Sequence, residues 1–229
     1  MAAFPNRLTL GIDEAGRGPA IGPMVMAAVA IDSRTAARLT RKGLRDSKAY
    51  GAGDDAHAIR SELAVEIRAC ATFVATIEVE AHVIDSRVVR NELNVLEREL
   101  AAKLIAKAPA CDKIIADGKR MFSALCARYE NFTSCDHAED AHASVAAASV
   151  VAKAIRDDRF NQIRARYEPE FGPIAGGGYG NAATRKWLRA FVERYRKLPD
   201  EARRSWPYPY VEDLIGDPRP PAPQPSLFG

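Results

Sequence analysis

Apolar and polar positions along this chain fall into blocks, and the period of each block names an element. Residues 8–12 are an apolar run that stops at two acids, Asp13 and Glu14, and read as a buried strand. Residues 24–31 are a second apolar run, rich in Val and Ala. Following the turn from Pro19 to Pro23, this run reads as the hairpin partner of the first. Residues 33–43 are polar and basic. Residues 54–71 carry helical spacing through Ile59, Leu63 and Ile67, and residues 72–79 alternate as a strand. Residues 84–108 read as one long helix with Leu93, Leu96, Leu100 and Leu104 on one face. A short strand over 113–116 runs into Asp117, Gly118 and Lys119. Residues 144–167 form an Ala-rich helical stretch whose small face (Ala147, Ala148, Ala152) permits close approach to a sheet. A glycine-rich loop over 172–180 precedes a basic helix over 181–196, and beyond Asp217 the chain is proline-rich without periodicity. Strands early and helices late predict an α/β layer, helices against a mixed sheet. Ligands of such sheets gather outside strand ends, where both acid motifs fall.

Composition changes this picture in four ways. Of 229 residues, 47% are hydrophobic, which supplies a core and excludes global disorder. No apolar run reaches membrane-spanning length, and the first residues lack a basic segment followed by a continuous apolar one. A cytoplasmic protein without membrane attachment is therefore expected. The four cysteines (Cys70, Cys111, Cys126, Cys135) show neither C-x-x-C nor zinc-finger spacing, and read as small apolar residues in a reducing compartment. Net charge is only +3, yet between Asn181 and Glu212 eight Lys/Arg face four acids. A basic appendage on a near-neutral body suits a polyanionic partner, although a solvated helix face gives the same count.

The candidate chemistry sits where the first strand stops. Gly16, Gly18 and Pro19 follow Asp13-Glu14 and forbid an ordinary continuation of strand or helix. Two acids beside a bare backbone suit a metal ion that must touch a phosphate; a β-turn capped by acids is the other reading. Strand alternation sends Glu14 to the face opposite Asp13, so Glu14 joins such a site only if the chain leaves strand geometry there.

Four blocks in order, GIDEAGRGP (residues 11–19), Asp46-Ser47-Lys48, ADGK (residues 116–119) and HASVAAASVVAK (residues 142–153), closely resemble ribonuclease HII, the type 2 ribonuclease H family. GGGYG (residues 176–180), TRKWL (residues 184–188) and RRSW (residues 203–206) extend the resemblance to about residues 7–210. It implies a ribonuclease H-like mixed sheet of about five strands with flanking helices and a helical C-terminal extension. The corresponding domains are a catalytic one over 1–168, a nucleic-acid-contacting extension over 169–216 and a tail over 217–229. The implied activity is endonucleolytic cleavage of RNA in RNA–DNA hybrids. It extends to incision 5′ of single ribonucleotides in duplex DNA, leaving a 3′-hydroxyl and a 5′-phosphate, with Mg²⁺ or Mn²⁺ as cofactor. A monomer is implied.

Hard ions select carboxylate oxygens, and two ions roughly 3.5–4 Å apart serve both the attacking and the leaving oxygen of a phosphodiester. Asp13, Glu14 and Asp117 match the family's catalytic acids. The fourth falls at Glu139 by register counted back from Lys153; Asp140 has the usual residue type but sits one position late. His137 and His142 read as loop or packing residues. For substrate, Gly16-Arg17-Gly18 resembles the family's loop that senses the 2′-hydroxyl. Tyr179 resembles the tyrosine that stacks on the adjacent deoxyribose. Ser47, Lys48, Arg185 and Lys186 are candidate phosphate contacts. Asn181 and Thr184 depart from the Thr and His of many bacterial members, and TRKWL and RRSW look closer to archaeal and eukaryotic ones. Residues 224–228, QPSLF, resemble a sliding-clamp-binding peptide. Two other classes compete. Gly11-Ile12-Asp13 with Gly16 and Gly18 also resembles the phosphate loop of sugar kinases and actin-like ATPases, which need two such halves. A non-catalytic hybrid-binding module would have lost a metal carboxylate, and Asp13, Glu14 and Asp117 are all present.

Overall fold

The structure is a computed structural model that describes residues 7–45, 50–51 and 53–220. Five strands form one mixed sheet: β1 (Leu8–Ala15), β2 (Met24–Asp32), β3 (Phe73–Val79), β4 (Lys113–Asp117) and β5 (Phe132–Cys135), in the order β3-β2-β1-β4-β5. β1 pairs antiparallel with β2 as a hairpin partner should, with Leu8 opposite Asp32 and Ala15 opposite Val25. It pairs parallel with β4, which in turn pairs parallel with β5. β2 is buried along Met24–Ile31, which is why it reads as a continuous apolar run and not as an alternating one.

Helices α1 (Ser33–Arg41), α2 (Asp54–Cys70), α3 (Ala81–Val88), α4 (Leu93–Lys107), α5 (Lys119–Cys126), α6 (Ala138–Ala141), α7 (Ala143–Phe171), α8 (Ala182–Tyr195) and α9 (Glu212–Ile215) complete the described elements. Several differ from the sequence reading. The polar stretch after β2 is helix α1, started by the Asp32 carboxylate accepting the Thr35 N–H at 2.7 Å. The single helix expected over 84–108 is two, α3 and α4. Asn91 between them adopts φ +57°, a left-handed conformation that no helix interior accommodates. β5 has only four residues, too few to display a period.

Close contacts divide the chain into two compact units that interleave in sequence. One comprises Met1–Ala15, Val25–Glu78 and Val95–Ile155; the other Gly16–Met24, Val79–Asn94 and Arg156–Gly229. These boundaries differ from a linear division at residues 168 and 216. The first unit holds the sheet and the N-terminal half of α7, whose small face (Ala146, Ala147, Ala148, Ala152) packs in one cluster with Val25, Val29, Ile31, Leu39 and Ile67 of β2, α1 and α2. Gly11 makes this possible: a Cβ there would lie 2.1 Å from the Ser144 carbonyl carbon, so only glycine lets α7 start against β1. The second unit has its own core of Ile21, Phe160, Ile163, Trp187, Leu188, Val192, Tyr208 and Val211. Tyr167, Phe171, Phe191 and Tyr195 extend it as an aromatic stack, with neighbouring ring centroids 4.8–6.2 Å apart. No helix among the described residues is long and apolar enough to cross a membrane.

Candidate active site

The sheet's topology gathers the acids. Because Gly11 lies opposite Ile115 and Ile12 opposite Ala116 in the parallel β1–β4 ladder, Asp13 and Asp117 come at the same end of neighbouring strands. Asp117 is likewise opposite Cys135 at the end of β5, which leads directly to α6 and Glu139. The Asp117 carboxylate accepts the Ala138 N–H at 2.9 Å, tying the start of α6 to the end of β4.

Asp13 is the best-defined member. It shares a strand face with Gly11 and so points toward α7, where the Ser149 hydroxyl hydrogen-bonds its carboxylate; the Glu14 N–H donates to it at 2.8 Å. Burial, with the residue 6% exposed, pushes the Asp13 carboxyl up to about 7. The hydrogen bonds from Ser149 and Glu14 oppose this, and the charges of Asp117 and Glu139 reinforce it. Of the two acids left open at α6, Glu139 is buried and Asp140 exposed. Glu14 is placed differently. β1 does not end at Ile12 but runs on to Ala15, with Glu14 opposite Met26, so strand geometry persists and Glu14 leaves from the face opposite Asp13. Its Oε2 is nonetheless sealed from solvent, as is that of Glu139.

The donor set fits a hard divalent cation. It consists of carboxylates alone, and burial together with the charges of Asp117 and Glu139 raises the Asp13 carboxyl, a shift that a bound cation would reverse. Among the described residues no three His, Cys, Asp or Glu side chains converge as ligands around an ion do. The acids share one another's field without closing on a centre.

The second unit holds the substrate candidates. Gly16 sits at φ +85°, and a Cβ there would meet the Pro23 carbonyl oxygen at 2.6 Å, so glycine is required. Arg17 and Gly18 form the exposed tip of the loop, and the Arg17 guanidinium donates to Asn94 Oδ1 at 2.6 Å. The tip is backed by the glycine-rich loop: the Ala20 and Ile21 N–H groups donate to the Gly178 carbonyl at 2.8 and 3.1 Å. Tyr179 is 45% exposed, with its ring edge beside Gly18.

Two guanidiniums that sequence reasoning did not single out hold these loops. Arg156, 1% exposed, donates to the carbonyls of Gly177 and Ile21 and lies 5.6 Å from the centre of the Tyr179 ring. Arg203, fully buried, donates to the carbonyls of Gly16, Arg17 and Gly22. The only sequence signal for Arg203 was membership of the RRSW block, and Arg156 lies outside every such block. Arg185 is exposed on α8, donating to the Gly180 carbonyl at 2.7 Å and lying over Tyr210, while Lys186 beside it is exposed. Ser47 and Lys48 lie outside the described residues, as does the 224–228 peptide.

A family model described as Ribonuclease HII matches residues 10–208. The ribonuclease HII of Pyrobaculum islandicum is 39% identical over 201 residues, which cover 86% of this chain and 94% of the relative. Among solved structures, the ribonuclease H2 of Pyrococcus horikoshii OT3 superposes with a TM-score of 0.73 at 27% identity, covering 91% of this chain and 97% of that one. The PCNA:RNase HII complex of Archaeoglobus fulgidus gives 0.70 at 29% identity, covering 86% and 93%.

Proposed function

The chain belongs to the ribonuclease HII family, and from that premise we propose how its acids and loops divide the reaction. The protein is an endoribonuclease of the ribonuclease H type, cutting RNA in RNA–DNA hybrids. The observation that carries the finer reading is the buried Asp13, whose raised carboxyl lies in the field of Asp117 and Glu139. Asp13, Asp117 and Glu139 would hold Mg²⁺ or Mn²⁺; Glu14, which leaves from the opposite strand face, is assigned to the site by the family resemblance and not by its place in β1. Such ions, when bound, activate the attacking water and stabilise the leaving oxygen. The Ser149 hydroxyl keeps the Asp13 carboxylate oriented, and the Asp117 carboxylate anchors α6 so that Glu139 stays beside it.

On the substrate side, the exposed Arg17-Gly18 tip approaches the ribose and reads the 2′-hydroxyl. Tyr179 stacks on the neighbouring deoxyribose and gives a preference for the RNA–DNA junction. Arg185 and Lys186, with Ser47 and Lys48, contact phosphates without reading bases. Water attacks the phosphorus 5′ of the ribonucleotide and the P–O3′ bond breaks. The upstream strand keeps a 3′-hydroxyl and the ribonucleotide a 5′-phosphate.

The test is cleavage of an end-labelled DNA duplex containing one ribonucleotide, with Mg²⁺ or Mn²⁺, beside a continuous RNA–DNA hybrid. Wild type is expected to nick 5′ of the ribonucleotide, Asp13→Asn to lose cleavage of both substrates, and Tyr179→Ala to lose about tenfold on the junction substrate, the scale of one stacking contact. Cutting of the hybrid alone by wild type would overturn the junction reading.

A second partner follows from the 224–228 sequence, QPSLF, supported by the similarity to the Archaeoglobus ribonuclease HII that is in complex with PCNA. The terminal peptide tethers the enzyme to a sliding clamp. Deleting residues 221–229 is expected to abolish clamp pull-down and leave hydrolysis intact; undiminished pull-down would reject the tether.

A further inference from the structure

The loop proposed to read the ribose has its carbonyl oxygens taken up almost without exception, chiefly by one short segment. Arg203 donates through Nη2 to Gly16, through Nη1 to Arg17 at 2.8 Å, and through Nε and Nη2 to Gly22 at 3.0 and 2.9 Å. The Trp206 indole N–H donates to the Gly18 carbonyl at 3.1 Å. The Ala20 carbonyl accepts from the Tyr208 hydroxyl at 3.0 Å and from the Arg203 N–H at 2.8 Å. The segment is itself held: the Asp85 carboxylate accepts the Arg204 and Ser205 N–H groups at 2.8 and 2.9 Å, as well as the Ser205 hydroxyl.

In a trans peptide the N–H of a residue points opposite to the preceding C=O, and no peptide among the described residues is cis. Fixing the Gly16 and Arg17 carbonyls on Arg203 therefore aims the Arg17 and Gly18 N–H groups the other way, at the exposed tip. Gly18 has no side chain there to obstruct a sugar. Pro19 follows with no N–H of its own, so the Gly18 carbonyl is the last handle on the tip's orientation, and Trp206 holds it.

We propose that Arg203 and Trp206 are positioning residues for ribose discrimination, fixing by carbonyl capture the direction in which the Arg17-Gly18 amides face the 2′-hydroxyl. The proposal deepens the reading above and rests on it. Arg203 and Trp206 touch no reacting atom, so what they govern is the difference between a ribose and a deoxyribose at one position. General affinity for duplexes, which phosphate contacts supply, is left alone.

The test is fluorescence anisotropy of the full chain with two duplexes that differ by a single 2′-hydroxyl, in Ca²⁺ to suppress cleavage. Single-turnover cleavage in Mg²⁺ is measured in parallel. The variants are Arg203→Lys and Trp206→Phe; the second keeps an aromatic ring and removes the N–H, so it serves even if the first does not fold. The expected result is a ribo-to-deoxy affinity ratio reduced about tenfold in Trp206→Phe, the scale of one lost hydrogen bond. Affinity for the all-deoxy duplex stays within about twofold. An unchanged ratio in Trp206→Phe, or a parallel loss of affinity for both duplexes, would overturn the proposal. If wild type itself bound the two duplexes equally, the underlying reading of the loop would fail instead, and the variants would not be at issue.

Discussion

The two units each bury charge, with opposite signs and opposite outcomes. In the first, Asp13 is enclosed near Asp117 and Glu139, and its carboxyl is driven up to about 7. In the second, burial drives the Arg203 guanidinium down to about 10, and the neighbouring Arg156 charge pushes the same way. Arg203 stays protonated across the physiological range regardless, and its guanidinium donates to main-chain carbonyls. A guanidinium has five N–H donors, met here by neutral oxygens; the Asp13 carboxylate accepts from the Ser149 hydroxyl and the Glu14 N–H, yet remains buried in the field of two further carboxylates. One buried charge therefore serves as a structural donor, and the other is pushed toward its neutral form, which a bound cation would reverse.

The sharpest way to break this comparison is Asp13→Asn. With a folded-state value of about 7 against 3.8 in the unfolded chain, the folded protein binds the extra proton between these pH values. Stability from this group is complete below pH 4 and is lost as pH rises through 7, by at most about 1.4 kcal/mol for each pH unit crossed. Metal-free wild type should then melt lower at pH 8 than at pH 5.5, and Mg²⁺ should recover more at pH 8. Asp13→Asn should flatten both trends in a melting series and raise the metal-free melting temperature at pH 8. An Asn variant less stable than wild type at pH 8 would show that the carboxylate is already compensated.

Arg156→Met should give the opposite pattern. It leaves the Gly177 and Ile21 carbonyls without their donor, at about 2–4 kcal/mol. The loss, read by urea unfolding, should be the same at pH 5.5 and pH 8 and should not respond to Mg²⁺. Lys186→Ala should have the smallest effect, since that cation is exposed. Stability should be unchanged, while the slope of log affinity against log salt falls by about 0.9. A large stability loss there would blur the contrast between buried and exposed cations.

What could be read from sequence was what is local. The β1 apolar run, the acids following it, the β2 hairpin and the small face of α7 all declare themselves within a few residues. α1 was hidden because its sequence, SRTAARLTR, is polar nearly throughout and buries only Leu39. α3 and α4 merged because the apolar period carries across a break fixed by one backbone angle at Asn91. At the site, Asp13 and Asp117 were legible as strand ends, whereas burial separates Glu139 from Asp140 only once α6 is placed. Arg156 and Arg203 were invisible as loop anchors, because their acceptors are bare carbonyls in segments distant along the chain. No side-chain pattern marks a carbonyl.

That distance has a consequence in time. The guanidinium that fixes Gly16 is 187 residues further along the chain. During synthesis all four candidate acids, the five strands and the first half of α7 precede residue 156, but the 16–18 tip can take its final form only after residues 203–208 have arrived. A chain halted at residue 200 would carry all four carboxylates proposed for the cut and nothing to aim the amides proposed to face the 2′-hydroxyl.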